Sequence, residues 1–238
     1  MSPEKVVIGN ATLWLGDCME VLPAIDRAAA IVSDPPYGIG YVHGGNIPRR
    51  GCGIGGGAIT RGAKTKPIIN DDREFDPAPL LGFSAVLLFG ANHFARRLPS
   101  GGSWLVWDKS VGAGPADSFV DSELAWTSAP SVRRNVFRHV WKGLLADRTG
   151  EDLPGRNPNT WRRHHPSMKP VALMEWCILQ AKVAQDATIL DPYMGAGSTG
   201  IAAVKMGRRF VGIEIERKYF DTACERIATA QAQERLFA

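Results

Sequence analysis

The chain reads as an α/β protein, a three-layer sandwich in which helices cover a sheet. Three observations predict it. Strand-length apolar runs alternate with helical stretches along the sequence. Ile31-Val32-Ser33 run as a buried strand into Asp34-Pro35-Pro36-Tyr37. Ile189 and Leu190 lead into a glycine-rich turn at Asp191 to Gly200, Ile201 to Val204 continue as a helix, and a second strand from Arg209 to Ile213 ends in Glu214. In such sheets ligands bind outside the carboxyl ends of the strands. Asp34 and Asp191, far apart in sequence, therefore face one pocket if their strands are neighbours.

In chain order, Val6 to Ile8 and Thr12 to Leu15 form a strand pair joined at Gly9-Asn10, and Asp17 caps a short helix through Ile25. Strand Ala30 to Ser33 delivers the Asp-Pro-Pro-Tyr turn. Residues 38–66 are glycine-rich without periodicity, and so long a loop in a compact domain is usually functional or disordered. Ala85 to Phe89 and Trp104 to Trp107 are further strands, with Asn92 to Leu98 helical between them. Glu123 to Thr127 and Val136 to Trp141 look like a closing pair of strands. Residues 147–163, rich in Pro, Asn and Arg, read as loop. Pro170 opens a helix through about Lys182, at the first-turn position that proline favours. At 238 residues the chain suits one domain, with 38–66 and 147–163 as inserted loops.

Composition narrows the function. No run of about 18 apolar residues suggests a membrane span, and Met1 to Lys5 lack the basic and apolar pattern of a signal peptide, so a cytoplasmic location is expected. Four scattered cysteines, Cys18, Cys52, Cys177 and Cys224, suggest neither a zinc site nor a disulfide framework. The formal net charge of +4 is modest, but its distribution is uneven. Arg49, Arg50, Arg61, Lys64 and Lys66 fall in a stretch without acids, and Arg162 and Arg163 belong to a second basic region from Arg133 to Lys169. Solvated loops carry such charges too, but beside a base-handling motif they suit phosphate contacts.

The Asp-Pro-Pro-Tyr turn suits a flat amine. Prolines remove backbone donors, leaving carbonyls free to accept hydrogen bonds; Asp34 adds a charged acceptor and Tyr37 a stacking face. The chemistry this fits is alkylation of an exocyclic nucleobase amine, whose lone pair is delocalised until both protons are accepted. An ordinary strand-ending turn with a capping Asp would use the same residues. At the second motif, glycines allow close backbone approach, and the acid about 20 residues later has the spacing of a ribose ligand. Gly195-Ala196-Gly197 lacks both the third glycine of the dinucleotide fingerprint and the Gly-Lys-Ser/Thr of a P-loop, which disfavours NAD and ATP.

Together these blocks resemble the catalytic and cofactor motifs of S-adenosylmethionine-dependent DNA amino-methyltransferases. Their order, Asp-Pro-Pro-Tyr first and glycine loop late, resembles the beta class, in which the cofactor half is circularly permuted to the C-terminus. Leu15 to Leu22 is similar to the segment that supplies an acid to the cofactor adenine, and His165-Pro166-Ser167-Met168-Lys169-Pro170 to the block that closes over its methionine end. Tyr193 and Gly200 stand where the family more often has Phe and a second Thr.

The resemblance implies a Rossmann-like methyltransferase fold, mostly parallel with an antiparallel closing strand. It implies S-adenosylmethionine as cofactor, with Asp17 and Cys18 at the adenine and Glu214 at the ribose. Asp191, Tyr193, Gly195, Gly197, Ser198 and Thr199, with Lys169, then hold the methionine part. Helix capping would also explain Asp17, and a surface strand end Glu214. The implied reaction is methyl transfer to N6 of adenine in double-stranded DNA with base flipping, without a metal, because a sulfonium is already activated. Asp34 and the Pro35 carbonyl accept the amino hydrogens, Pro36 fixes the turn and Tyr37 stacks on the base. Asp in first position leans towards adenine in this family and Ser towards cytosine, so N4-cytosine methylation is the alternative. A silent DNA-binding relative and a nicotinamide-dependent oxidoreductase are further alternatives. The resemblance also allows a homodimer and a cognate restriction endonuclease as partners.

Overall fold

A computed structural model of the protein describes residues 3–27, 29–40, 69–109, 122–139 and 168–237. Its strands are β1 (Glu4–Ile8), β2 (Ala11–Leu15), β3 (Ala30–Ser33), β4 (Ala85–Phe89), β5 (Ser103–Asp108), β6 (Ser122–Thr127), β7 (Val136–Arg138), β8 (Ile189–Asp191) and β9 (Phe210–Glu214). They form one sheet in the order β1-β2-β9-β8-β3-β4-β6-β5-β7. The hairpin β1–β2 is antiparallel; from β2 through β9, β8 and β3 to β4 every pairing is parallel.

The strands at the centre bury both faces, as parallel strands under two layers must. Ala30 and Val32 of β3 point to one side with Leu87 and Phe89 of β4. Ile31, Val86 and Leu88 point to the other. The first side is covered by α2 (Val171–Gln180), α3 (Ser198–Lys205) and α4 (Arg217–Phe237) through Leu173, Ile201, Phe220 and Ile227. Over the second lie the short helix α1 (Cys18–Val21), a 3-10 turn at Leu22–Ala24 and residues 75–83 and 91–94, with Phe75, Leu80 and Phe94 as plugs.

The mostly parallel sheet and its helical covering match the sequence reading. Three details differ. Glu123 to Thr127 and Val136 to Arg138 are not a pair: β6 inserts antiparallel between β4 and β5, and β7 runs parallel to β5 at the edge. Asn92 to Leu98 forms two 3-10 turns, Ala91–His93 and Ala95–Arg97, where an α-helix was expected. The long helix α4 lies beyond the last element read from the sequence. Residues 41–66, 140–141 and 147–163 lie outside the described residues.

Gly200 illustrates how packing overrides propensity. A Cβ there would lie 2.5 Å from Ile227 Cδ1 and 2.7 Å from Phe210 Cε1. Only a hydrogen lets α3 sit this close to α4 and β9, which explains a glycine inside the helix. Gly200→Ala should therefore destabilise the protein by about 1–3 kcal/mol in urea denaturation, although alanine is the better helix former. A stability gain would show that α3 can move off its neighbours.

Candidate active site

β3 and β8 are parallel neighbours, Ala30 opposite Ile189 and Ile31 opposite Leu190. Their carboxyl ends place Asp34 and Asp191 together, as the two motifs required. The connection is direct: the Ser33 hydroxyl donates to Asp191 Oδ1 at 2.5 Å. Asp191 Oδ1 also accepts the Tyr193 N–H at 3.1 Å, and Oδ2 accepts the Thr199 hydroxyl at 2.6 Å. These donors offset the cost of burying a carboxylate. Burial still pushes Asp191 up to about 6, against the hydrogen bonds from Ser33 and Thr199.

The turn after β3 is built around Asp34. Its Oδ1 accepts the Tyr37 hydroxyl and its Oδ2 the Lys169 ammonium, each at 2.5 Å. The Tyr37 ring stacks on His93, centroids 5.3 Å apart and 15° from parallel. Gly90, at φ +64°, makes room for it, since a Cβ there would meet the tyrosine ring at 2.0 Å. Beyond the turn, Asp71 Oδ1 accepts the N–H of Gly38 at 2.8 Å. Burial pushes the Asp34 carboxyl above the usual range, the Lys169 ammonium drawing it back only in part, and burial with the charge of Asp34 raises the Tyr37 phenol well above its own.

Lys169 sits between two acids, its Nζ 2.5 Å from Asp34 Oδ2 and 3.1 Å from Glu123 Oε2. Lys109 pairs with the other oxygen of Glu123. Burial works against the Lys169 charge, but Asp34 and Glu123 more than offset it and hold the ammonium protonated. Burial likewise opposes the Glu123 charge, and the two lysines outweigh it, leaving this carboxyl below the usual range. Lys169 thus lies at the Asp34 end of the site, engaged with the Asp-Pro-Pro-Tyr turn.

In the glycine loop Gly195 and Gly197 adopt φ +51° and +82°, which side chains disfavour. The loop opens α3 without a side-chain cap, and among the described residues the buried Ser198 hydroxyl has no hydrogen-bond partner. Glu214, at the end of β9, accepts the Gly195 N–H on Oε2 at 3.0 Å and the Glu216 N–H on Oε1 at 2.8 Å. Burial pushes Glu214 up to about 7 in spite of these bonds. Pairing of Leu15 with Glu214 brings the next residues, Asp17 and Cys18, to the same rim. Asp17 caps α1, accepting the Met19 N–H at 2.8 Å, so the capping reading of this residue holds. Burial pushes the Cys18 thiol up to about 11, with the neighbouring Tyr193 phenol acting in the opposite direction. Pro35 is buried and Pro36 partly so.

One cleft of about 370 Å³, including space open to solvent, joins the two motifs. Asp34 and Lys169 line it at the Asp-Pro-Pro-Tyr turn; Asp191, Tyr193, Gly195, Ser198 and Thr199 line it at the loop. Sequence reasoning had not singled out Ser33, Asp71, His93, Lys109 or Glu123. An acid at the head of the apolar strand Leu124-Ala125-Trp126 was the available signal for Glu123. Arg49, Arg50, Arg61, Lys64, Lys66, Arg162 and Arg163 lie outside the described residues, as do residues 165–167. No described helix is long and apolar enough to cross a membrane.

A mostly parallel sheet covered by helices, with the loops after β3, β8 and β9 gathered at its carboxyl edge, defines a Rossmann-like methyltransferase fold. The crystal structure of the M1.HpyAVI–SAM complex shares it at a TM-score of 0.53 and 20% identity, over 91% of this chain and 98% of that one. The model of the N6/N4 methyltransferase family, DNA methylase, matches residues 105–225, just over half of the chain. The chain belongs to this DNA methylase family. The type II methyltransferase M2.DpnII of Streptococcus pneumoniae is 37% identical over 90 residues, 38% of this chain and 30% of that protein. The match thus spans less than a third of that relative. The putative methylase YubD of Escherichia coli (strain K12) is 28% identical over 225 residues, 91% of this chain and 89% of that protein.

Asp191 and Glu214 hold their protons more tightly folded than unfolded, so in the folded state they bind more protons between the two titrations. Their contribution to stability is full below their ordinary values of 3.8 and 4.5 and declines as pH rises through about 6 and about 7. Glu214→Gln should flatten the fall in stability of the ligand-free protein between about pH 4 and 7, measured by urea denaturation. A fall as steep as in the parent would mean that Glu214 titrates normally.

Proposed function

We propose that the protein is an S-adenosylmethionine-dependent methyltransferase that places a methyl group on N6 of adenine in double-stranded DNA. The observation that carries this reading is the single cleft between Asp34 and the glycine loop, the two tied together through Ser33 and Asp191. Family membership supports DNA methylation, and the M1.HpyAVI structure is named as a complex with SAM.

The residues present fit that cofactor. Each oxygen of Glu214 accepts one backbone N–H and has capacity left for a ribose hydroxyl. The unpartnered Ser198 hydroxyl and the uncapped start of α3 suit the carboxylate of a methionine group. Asp17 and Cys18 form the adenine rim, with Asp191, Tyr193, Gly195, Gly197 and Thr199 shaping the floor. When bound, S-adenosylmethionine supplies a methyl group on a positively charged sulfur, activated for in-line displacement.

The chain's own residues prepare the acceptor. A stacked base cannot present its amine, so the target leaves the helix at a cost of a few kcal/mol. Asp34 and the Pro35 carbonyl accept the two amino hydrogens and localise the nitrogen lone pair. Tyr37, anchored by Asp34 and braced by His93, stacks on the ring. The methylated nitrogen is positively charged and sheds a proton readily, so Asp34 acts mainly by orientation and by stabilising the charge that grows in the transition state. Residues 38–66 and 147–163 supply DNA contacts through Arg49, Arg50, Arg61, Lys64, Lys66, Arg162 and Arg163, within one catalytic domain acting in the cytoplasm.

The deciding experiment transfers labelled methyl from S-adenosylmethionine to unmethylated bacterial DNA and identifies the nucleoside by mass. N6-methyladenine is expected; N4-methylcytosine would keep the chemistry and overturn the choice of base, and no labelled nucleoside would overturn the activity. Asp34→Ala should lower transfer at least ~10²-fold while cofactor affinity stays within a few-fold. Because ribose hydroxyls donate to ionised Glu214, cofactor affinity should rise as pH increases through about 7. In Glu214→Gln, calorimetry should find affinity about tenfold weaker and this rise absent.

A further inference from the structure

We propose that Glu123 is a positioning residue for methyl transfer, receiving the Lys169 ammonium from Asp34 when the target amine arrives. The inference rests on the reading of Asp34 as the acceptor of that amine. Both oxygens of Asp34 are already engaged, Oδ1 by the Tyr37 hydroxyl and Oδ2 by Lys169 at 2.5 Å. Lys169 therefore presents an N–H donor where the nucleobase amine must present its own. Its Nζ also lies 6.0 Å from the centre of the Tyr37 ring, the surface on which the base is to stack. The ammonium occupies the acceptor's place, and binding of the base requires an exchange.

The surroundings allow only a short exchange. Lys169 is 7% exposed, so an ammonium displaced from Asp34 needs another buried acceptor close at hand. Glu123 Oε2 is 3.1 Å from the same Nζ, and among the described residues it is a buried oxygen without an aligned hydrogen bond. Lys109 pairs with Oε1 and keeps the carboxylate in place, and Lys109 itself lies 4.8 Å over the Trp107 ring. A small rotation of the Lys169 side chain completes a hydrogen bond to Glu123 and frees Oδ2 of Asp34. The same movement draws positive charge away from the nitrogen that becomes cationic as the methyl arrives.

The test compares single-turnover methyl transfer at saturating DNA in the parent, Glu123→Gln, Lys169→Met and the double variant, with cofactor affinity measured for each. Glu123→Gln should slow transfer about tenfold or more, because the ammonium then stays on Asp34, while cofactor affinity changes by less than about twofold. In the Lys169→Met background the same substitution should cost nothing, since no ammonium remains to be received. Equal losses in both backgrounds, or no loss in the parent background, would overturn the role of Glu123. Glu123→Asp, which keeps the charge, carries the same test if the glutamine variant folds poorly, and it should recover part of the rate. A parent that transfers no methyl to DNA would instead overturn the function on which the inference rests.

Discussion

The buried carboxylate of Asp191 is the constraint on which the site depends. Its two oxygens take hydrogen bonds from Ser33 on β3, the Tyr193 backbone in the loop and Thr199 on α3. A carboxylate enclosed without such partners would cost several kcal/mol, so the three segments are held to one arrangement by the requirement that every donor arrive. Asp34 follows Ser33 directly. The Asp-Pro-Pro-Tyr turn is therefore located relative to the glycine loop by a bond one residue away from it, with little freedom between.

Charge is the second theme. Lys109, Glu123, Lys169 and Asp34 form a run of alternating sign with no net charge, most of it enclosed. A reaction that brings a cationic methyl donor to a neutral amine would suit such a setting, because carboxylates can answer a positive charge that appears in the cleft, and Lys169 and Lys109 overcome burial to hold Glu123 below the usual carboxylate range beforehand. The lysines themselves lie over aromatic rings, Lys169 5.3 Å from the centre of Phe89 and Lys109 4.8 Å from that of Trp107.

Much of this was legible in the sequence. The apolar run Ile31-Val32, ended by Asp-Pro-Pro-Tyr, and the run Ile189-Leu190, ended by Asp191 and glycines, mark strands buried on both faces, and ligand-binding turns at their ends follow from the geometry of parallel sheets. The position of Glu214 at the end of the strand after the glycine loop was readable too. What sequence could not provide was pairing between distant segments. β6 has the composition of any half-buried strand, and nothing local says that it inserts between β4 and β5. Lys169 lies in a block whose likeness pointed to the methionine end, yet its partners are acids 135 residues upstream and 46 residues upstream in the chain, at Asp34 and Glu123. Helix α4 alternates small and charged residues, so its apolar face is narrow and shows itself only once Phe220, Ala223 and Ile227 are seen against the core.

The parallel seam between β3 and β8 also governs how the chain must assemble. Ser33 and Asp191 are 158 residues apart, so one side of the fully buried strand β3 has no partner until most of the chain is available. β4 faces a shorter delay, because β5 is made before β6 yet joins β4 only through it. Early intermediates therefore carry two apolar strand edges open to pairing with other chains, the exposure from which aggregation and domain exchange begin. Such a topology folds slowly, since distant loops must close before their contacts repay the lost entropy. The cleft cannot form before the β3–β8 seam closes, so an incompletely folded chain has no assembled site.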